Sequence, residues 1–358
     1  MTTGSGESTA VERQQWCHDA LQGTSRTFAI TVDVLDEPMA TQICVSYLLC
    51  RVADTVEDAG HIPPADQVDL LETYDRALDP DDATDIEAFA EAVEPWLPAD
   101  PDADADWTVV ARAPRVARAF EDLDPSAREA ARDPIRELVC GMAMFVERYA
   151  DTEGIRIETV DELEEYCWYV AGTIGTLITN LLARDASPER TRRLRENDRS
   201  FALLLQLVNV AKDVTDDYRE ENNVYLPAAW LREHGVEPEG VCEPENTSAV
   251  ASVIRRVADH ASGYVGGALN YLEATPETRG NTLAAWTVPY LLAVGTLREL
   301  DERAEDVIRE GGVKISRAEV LAIVDRFSNG VDRTAIERLR AQIAAAPFHQ
   351  HAQRQQSN

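Results

Sequence analysis

Two acidic segments, each placed directly after a strongly apolar run, constrain this chain more than any other feature in it. The first is Arg51-Val-Ala-Asp54-Thr-Val-Glu57-Asp58, behind the apolar stretch 44–50. The second is Asn209-Val-Ala-Lys212-Asp213-Val-Thr-Asp216-Asp217, behind 201–210. Both set Asp at i and i+4 with a further acid at i+3, and they lie 159 residues apart. On a helix these positions share one face, a turn apart. Like charges at that spacing cost an isolated helix about 0.2–0.5 kcal/mol. The apolar lead-in sets them beside a core rather than in a solvated run. Carboxylates there must be paired or metal-bound. Hard oxygen donors in pairs suit Mg²⁺, which keeps several waters and commonly holds a substrate phosphate as well. One such cluster in an acid-rich chain reads as a surface acid pair. Two with the same spacing, the same lead-in and a preceding base (Arg51, Lys212) reverse that reading.

The acid surplus excludes several function classes. With 65 Asp and Glu against 34 Lys and Arg, the formal net charge is -31. Nucleic acid needs a basic footprint, so no nucleic-acid partner is expected. Docking on anionic lipid is disfavoured for the same reason. A hydrophobic fraction of 44% is too high for a disordered acidic chain, so a large core is expected. Only Lys212 and Lys314 are lysines; every other base is Arg. An acidic surface nearly free of lysine reads as adaptation to high salt, where self-repulsion is screened. An acidic protein from a GC-rich genome is the plainer alternative. The six cysteines form no C-x-x-C pair and sit mostly among apolar neighbours, as buried thiols of a reducing compartment do. Met1 to Glu12 lacks the pattern of a signal peptide. Leu283 to Leu297 is short for a bilayer span and contains Pro289, so it reads as a kinked core helix. A cytoplasmic monomer with peripheral membrane contact at most is expected.

Apolar residues recur at three and four and β-branched alternation is scarce, so the fold class is all-α. Pro38 opens a helix running through about Asp58. Further helices are expected at 115–123, 126–149, 161–183, 188–219, 248–272 and 281–309, with a last one at 317–345. Thr159-Val-Asp-Glu162 reads as a capping box. A single domain at 16–346 is expected, with an acidic surface insertion at about 78–106. The tails 1–15 and 347–358 are expected to be disordered.

The pair of motifs, set in an all-helical chain, resembles the squalene and phytoene synthases, the head-to-head prenyl-diphosphate synthases of the isoprenoid synthase fold. The resemblance spans about residues 16 to 330. It is carried by Ser25-Arg-Thr-Phe28, Tyr47-Leu-Leu-Cys-Arg51-Val-Ala-Asp54-Thr-Val-Glu-Asp58, Tyr166-Cys-Trp-Tyr-Val-Ala-Gly172 and Gln206-Leu-Val-Asn209-Val-Ala-Lys-Asp213. It implies a single helical bundle around a central cavity, with the two clusters face to face. Asp54, Glu57, Asp58, Asp213 and Asp217 would hold Mg²⁺, with Asp216 as a helper, and activate a substrate diphosphate as leaving group. A dry cavity would shield the allylic cation, and aromatic faces such as Phe28 or Tyr166 would stabilise it. Arg26 and Arg51 offer charged forks for phosphate. Ser25, Tyr47, Gln206 and Asn209 would line the substrate site. Tyr166 would transfer a proton after the cyclopropane forms.

Within the family, Asp54-Thr-Val-Glu-Asp58 looks like the squalene synthase form of the first motif; phytoene synthases more often resemble D-E-L-V-D. Arg309-Glu-Gly-Gly-Val-Lys314-Ile-Ser-Arg317 and Trp286-Thr-Val-Pro289 are similar to the same branch. This implies two farnesyl diphosphates as substrates and NADPH as reductant, with Arg26, Arg51, Lys212, Lys314 and Arg317 at the cofactor. There are departures. Ser316 stands where many squalene synthases carry Arg, and Arg317 follows one place later. Glu220-Glu-Asn-Asn-Val-Tyr-Leu-Pro227 lacks the usual Gly-Arg, and its Tyr-Leu-Pro ending is closer to the phytoene branch. No hydrophobic C-terminal anchor of the kind found in eukaryotic squalene synthases is expected. Phytoene or dehydrosqualene synthesis without NADPH stays open, as does a non-catalytic ion-binding helical protein. A head-to-tail elongase would carry D-D-x-x-D, and neither cluster begins with a doubled Asp.

Overall fold

The structure is a computed structural model describing residues 9–152, 154–276, 281–327 and 332–350, without the side chains of 26 and 27. Among these residues it is all helix, apart from one isolated bridge between Arg156 and Val224. No described helix is long and apolar enough to cross a membrane.

The first acid helix, Met39–Glu57, is buried on nearly every side up to Cys50, as its apolar run requires. It packs on the long helix Pro125–Arg148 and on Ala10–Thr24, Ala105–Ala111 and Ala113–Glu121. The second acid helix, Asp198–Asp216, packs on Thr282–Arg309, Thr247–Ser262 and Val265–Ala274. The two acid helices therefore sit in different halves of the bundle. Thr173–Ala183 contacts both. It approaches the second closely at Gly175, where a Cβ would lie 3.0 Å from Ala202 Cβ.

The sequence boundaries need correction in several places. The stretch expected as a single helix over 161–183 contains a π-helical turn, Trp168–Gly172. The expected 188–219 helix is two, Pro188–Arg195 and Asp198–Asp216, and it ends in a second π turn, Asp217–Glu221. The expected 248–272 and 317–345 helices also divide, into Thr247–Ser262 with Val265–Ala274 and Arg317–Phe327 with Arg333–Ala345. Thr282–Arg309 departs from helical geometry at Arg303 (φ -130°, ψ 27°), not at Pro289. Thr159 caps the backbone of Glu162, but Glu162 returns its carboxylate to Glu158 N–H, so the box is only half made.

The ends and the insertion also carry structure. A helix starts at Ala10, inside the stretch taken as a tail, and Arg13 there pairs with Asp122 at 2.7 Å. Residues 78–106 include the helix Ile86–Val93, which buries Phe89 and Val93. At the other end, Phe348 N–H donates to Glu319 at 2.9 Å. Glu319 is 1% exposed and receives Arg298 at 2.9 and 3.1 Å, while Arg298 also donates to Ile343 carbonyl at 2.6 Å. One buried ion pair thus ties three C-terminal segments to the Thr282–Arg309 helix.

Removing one partner of a buried pair leaves the other charge uncompensated, at about 3–5 kcal/mol. Glu299 also contacts Arg298 and offsets part of that loss. Glu319→Ala is expected to lower stability by about 3 kcal/mol, read as an earlier denaturant midpoint. An unchanged midpoint would show that the pair does not hold the C-terminal segments.

Candidate active site

Asp54, Glu57 and Asp58 each offer a carboxylate oxygen within 4.8 Å of the other two. Unit charges that close repel by roughly 3 kcal/mol per pair at an effective dielectric near 20. That exceeds what an exposed ion pair contributes, so the cluster needs counter-charge. Arg51 supplies part of it. Arg51 contacts Asp54, and its Nε and Nη2 donate to the two oxygens of Asp106 at 2.7 and 2.8 Å. Burial alone would lower the Arg51 pKa, but Asp54 and Asp106 more than reverse this and keep the guanidinium charged. Three of its five N–H groups are already engaged, which leaves two for any ligand.

Burial raises the Asp54 pKa against the pull of Arg51. Burial, then the charges of Asp54 and Glu221, push Glu57 well above the carboxylate range. Burial, then Asp54 and Glu57, do the same to Asp58. Glu57 is 6% exposed, and its Oε2 has no hydrogen-bond partner. Buried acceptors are rarely left this way. Three carboxylates around one orphaned oxygen fit a hard divalent cation.

In the second cluster Lys212 pairs with Asp213, as Arg51 pairs with Asp54. Asp217 is pushed up to about 8 by burial, then by Glu221 and Asp213, with Lys212 opposing. Glu221 is pushed up to about 7 by burial and then by Asp54, with Asn223 and Arg51 opposing. Glu221 therefore feels both clusters, and its field joins them across the gap between the two helices. Arg51 and Asp54 keep 24% and 28% of their side-chain surface accessible, and Lys212 and Asp213 keep 21% and 24%. These charges sit among packed helices and still keep part of their surface accessible, as groups lining a recess do. Val170, Ile174 and Leu205 are half-buried apolar residues packed against the core.

A line of polar groups crosses the same space. Tyr166 donates to Glu57 Oε1 at 3.3 Å and shares a hydrogen bond with the Tyr225 hydroxyl at 2.9 Å. Asn223 Nδ2 donates to Tyr225 at 3.0 Å and to Glu221 at 3.4 Å. The rings of Tyr166 and Tyr225 stack at 4.7 Å, and Phe145 meets Tyr166 edge-on at 5.1 Å. Burial first, then Glu57, holds both phenols far above their ordinary pKa and therefore neutral. Local backbone pairing makes this possible. Val224 N–H donates to Ile155 carbonyl at 2.9 Å, Ile157 N–H to Val224 carbonyl at 3.2 Å, and Ile155 N–H to Asn223 at 2.8 Å. Gly154 (φ +104°) admits the approach, since a Cβ there would lie 2.2 Å from Asn222 carbonyl oxygen.

The remaining sequence candidates fall into three groups. Ser25 caps the helix Arg26–Asp33, and its hydroxyl also bonds Tyr47. Phe28 stacks on Tyr47 at 3.9 Å, and Tyr47 lies within the fields of Arg51 and Asp54. The side chain of Arg26 lies outside the described residues. Gln206, half-buried, and Asn209, exposed, precede Asp213 on one helix face. Lys314 and Arg317 are exposed and make no ion pair among the described residues. Their segment reaches the second cluster: a Cβ on Gly311 would lie 3.9 Å from Asp216 Oδ1, and one on Gly312 3.4 Å from Lys212 carbonyl oxygen.

Glu221, Tyr225, Asn223 and Asp106 were not singled out in the sequence. Glu221 was within reach, because Asp213, Asp217 and Glu221 continue one i, i+4, i+8 series. Asp106 carries no such signal, being 55 residues from Arg51 and set in an acid-rich interval.

A family model described as squalene/phytoene synthase matches residues 21–319. Squalene synthase 1 of Arabidopsis thaliana is 25% identical over 329 residues, which cover 88% of this chain and 72% of that protein. Squalene synthase of Eremothecium gossypii is 26% identical over 285 residues, covering 78% of this chain and 60% of that one. The solved complex of TcSQS with the ligand BPH1237 superposes with a TM-score of 0.76 at 22% identity, over 93% of this chain and 92% of that one. This last likeness bears on the fold alone.

The crowding of carboxylates predicts a stability effect. Glu57 has a raised pKa when folded, so it destabilises above its unfolded pKa and is neutral to stability below it. Glu57→Gln, which keeps the acceptor for Tyr166, is expected to stabilise the metal-free protein by at least about 1 kcal/mol at pH 7. The gain should shrink towards pH 4. Thermal melts in chelator at both pH values check this; a destabilised variant at pH 7 would refute it.

Proposed function

The chain belongs to the squalene/phytoene synthase family of head-to-head prenyl synthases, and on that premise we propose that it makes squalene. The substrates are two farnesyl diphosphates, joined to presqualene diphosphate and then reduced. The observation that supports this reading is the line of hydrogen bonds from Glu57 through Tyr166, Tyr225 and Asn223 to Glu221, which links the first acid cluster to the turn that ends the second acid helix.

Mg²⁺ bound there would neutralise the diphosphate and make it a leaving group. Asp54, Glu57, Asp58, Asp213 and Asp217 are the residues that would hold it. Arg51 balances the first cluster and turns its two remaining N–H groups to phosphate oxygen. Phe28, stacked on Tyr47, offers an aromatic face to the allylic cation. Val170, Ile174 and Leu205 keep water from that cation. Gln206 and Asn209 line the same wall.

Tyr166 is the residue assigned to proton transfer. Each phenol has one proton to give. If Tyr166 gives its own to Glu57, Tyr225 must donate to Tyr166, and Asn223 to Tyr225. That order leaves a continuous path for a proton from the hollow into the Glu57 cluster. NADPH, when bound, would supply a hydride for the reduction, and Lys314, Arg317 and Lys212 are the residues proposed to hold its phosphates.

A second reading is phytoene or dehydrosqualene synthesis without reduction. The Tyr225-Leu-Pro227 ending favours it, since the Tyr225 hydroxyl sits in the relay. Product analysis separates the two. The squalene reading expects a C30 hydrocarbon from farnesyl diphosphate, Mg²⁺ and NADPH in high salt. A C40 product from geranylgeranyl diphosphate alone, or a C30 product formed equally well without NADPH, transfers the assignment to the other branch. Asp54→Asn and Asp217→Asn should each reduce turnover on the order of a hundredfold or more, with the fold intact by circular dichroism. Mg²⁺ binding without diphosphate release would instead indicate a non-catalytic ion-binding protein.

A further inference from the structure

We propose that Glu221 is a divalent-cation ligand in its own right, the carboxylate through which the two acid clusters share one metal-binding ring. This deepens the function proposed above and rests on its assignment of the clusters to a cation.

Three observations lead to it. The first is placement. The second acid helix stops being an α-helix at Asp216, and a π-helical turn carries the chain from Asp217 to Glu221. The turn closes on Asn222 in the left-handed region (φ 58°), whose N–H returns to the Asp217 carbonyl. Such single π turns occur often at functional sites. Here the turn leaves Glu221 half-buried and linked to Glu57 by the hydrogen bonds that run through Asn223, Tyr225 and Tyr166, with the charges of Glu221 and of the first cluster raising one another's pKa.

The second is an unsatisfied partner. Glu57 Oε2 is buried and has nothing to bind. It lies in the three-carboxylate group whose field reaches Glu221. An orphaned acceptor surrounded by acids on both sides is missing a cation, not a hydrogen-bond donor.

The third is the lack of any other occupation for Glu221. Among the described residues it makes no ion pair, and its one hydrogen bond is the 3.4 Å contact from Asn223. A structural carboxylate at this depth would be paired with Arg or Lys. Arg51 lies within the field of Glu221 but pairs with Asp54 and Asp106, and Lys212 pairs with Asp213, so neither forms an ion pair with Glu221. Glu221 has spare lone pairs to offer a hard cation.

The test is a calorimetric titration with Mg²⁺ alone, in the full chain and without substrate. Glu221→Gln should lose about tenfold or more in Mg²⁺ affinity. Glu221→Asp keeps the charge and shortens the reach, and should lose a comparable amount. If Glu221→Asp binds Mg²⁺ as the wild type does, Glu221 acts only as a distant charge and the proposal falls. Unchanged affinity in Glu221→Gln also overturns it. Asp54→Asn is titrated alongside. If Asp54→Asn leaves Mg²⁺ binding unaltered, the clusters are not the cation site and the parent reading fails with this one. If Asp54→Asn abolishes binding and Glu221→Gln does not, only Glu221 is excluded. Melting curves with and without Mg²⁺ guard against misfolding: loss of the Mg²⁺-induced shift at an undiminished metal-free melting temperature supports the proposal.

Discussion

Mutual repulsion among enclosed carboxylates is the constraint from which the rest of this structure follows. Asp54, Glu57 and Asp58 meet within 4.8 Å, and Asp217 and Glu221 add their fields across the gap. Burial and like charge act in the same direction on each of them. A fold selected for stability alone would separate these groups or replace them with apolar residues. This one gathers them and commits Arg51, Asp106, Lys212, Tyr166 and Asn223 to holding the arrangement. The compensation is incomplete, since Glu57 Oε2 is left without a partner. Incomplete compensation at a fixed, enclosed place is what a cation site needs before the cation arrives.

The bundle supplies the rigidity that makes such crowding tolerable. Each acid helix is anchored in a different half of the molecule, so neither cluster can relax by sliding towards solvent with its neighbour. The wall between them is interrupted twice by π turns, at Trp168–Gly172 and Asp217–Glu221. The first directly follows the helix that ends with Tyr166 and Cys167; the second presents Glu221. The short backbone pairing at Ile155–Ile157 and Val224 then fixes the order of the hydroxyl chain by bringing Tyr225 onto Tyr166.

Much of this was legible in the sequence, and the reasons are specific. The helix class followed from apolar periodicity, and the acid clusters from spacing that places three carboxylates on one face. The pairing of each lead Asp with its preceding base, Arg51 with Asp54 and Lys212 with Asp213, is a short-range contact that sequence proximity implies. Long-range partners were not legible. Asp106 reaches Arg51 across 55 residues from a stretch whose acidity looked like solvated surface. Tyr225 entered only as part of the Tyr-Leu-Pro ending, and only the return of the chain onto residues 155–157 makes it a neighbour of Tyr166. The π turns escaped because an α-helical period places Glu221 on the same face without requiring the wider turn.

The global charge gives the local arrangement its consequence. A diphosphate approaching a protein of net charge -31 meets a repulsive far field. For the substrate proposed above, attraction would have to come from within a few ångströms, from Arg51, Lys212 and a cation among the carboxylates. Screening separates these two ranges. At about 1 M salt the Debye length is about 3 Å, so the far field vanishes while contacts inside the hollow persist. The excess of surface acid and the buried acid ring thus have opposite dependences on salt. The surface is relieved by it, whereas the ring, shielded from bulk ions by packed helices, still needs its own counter-charge.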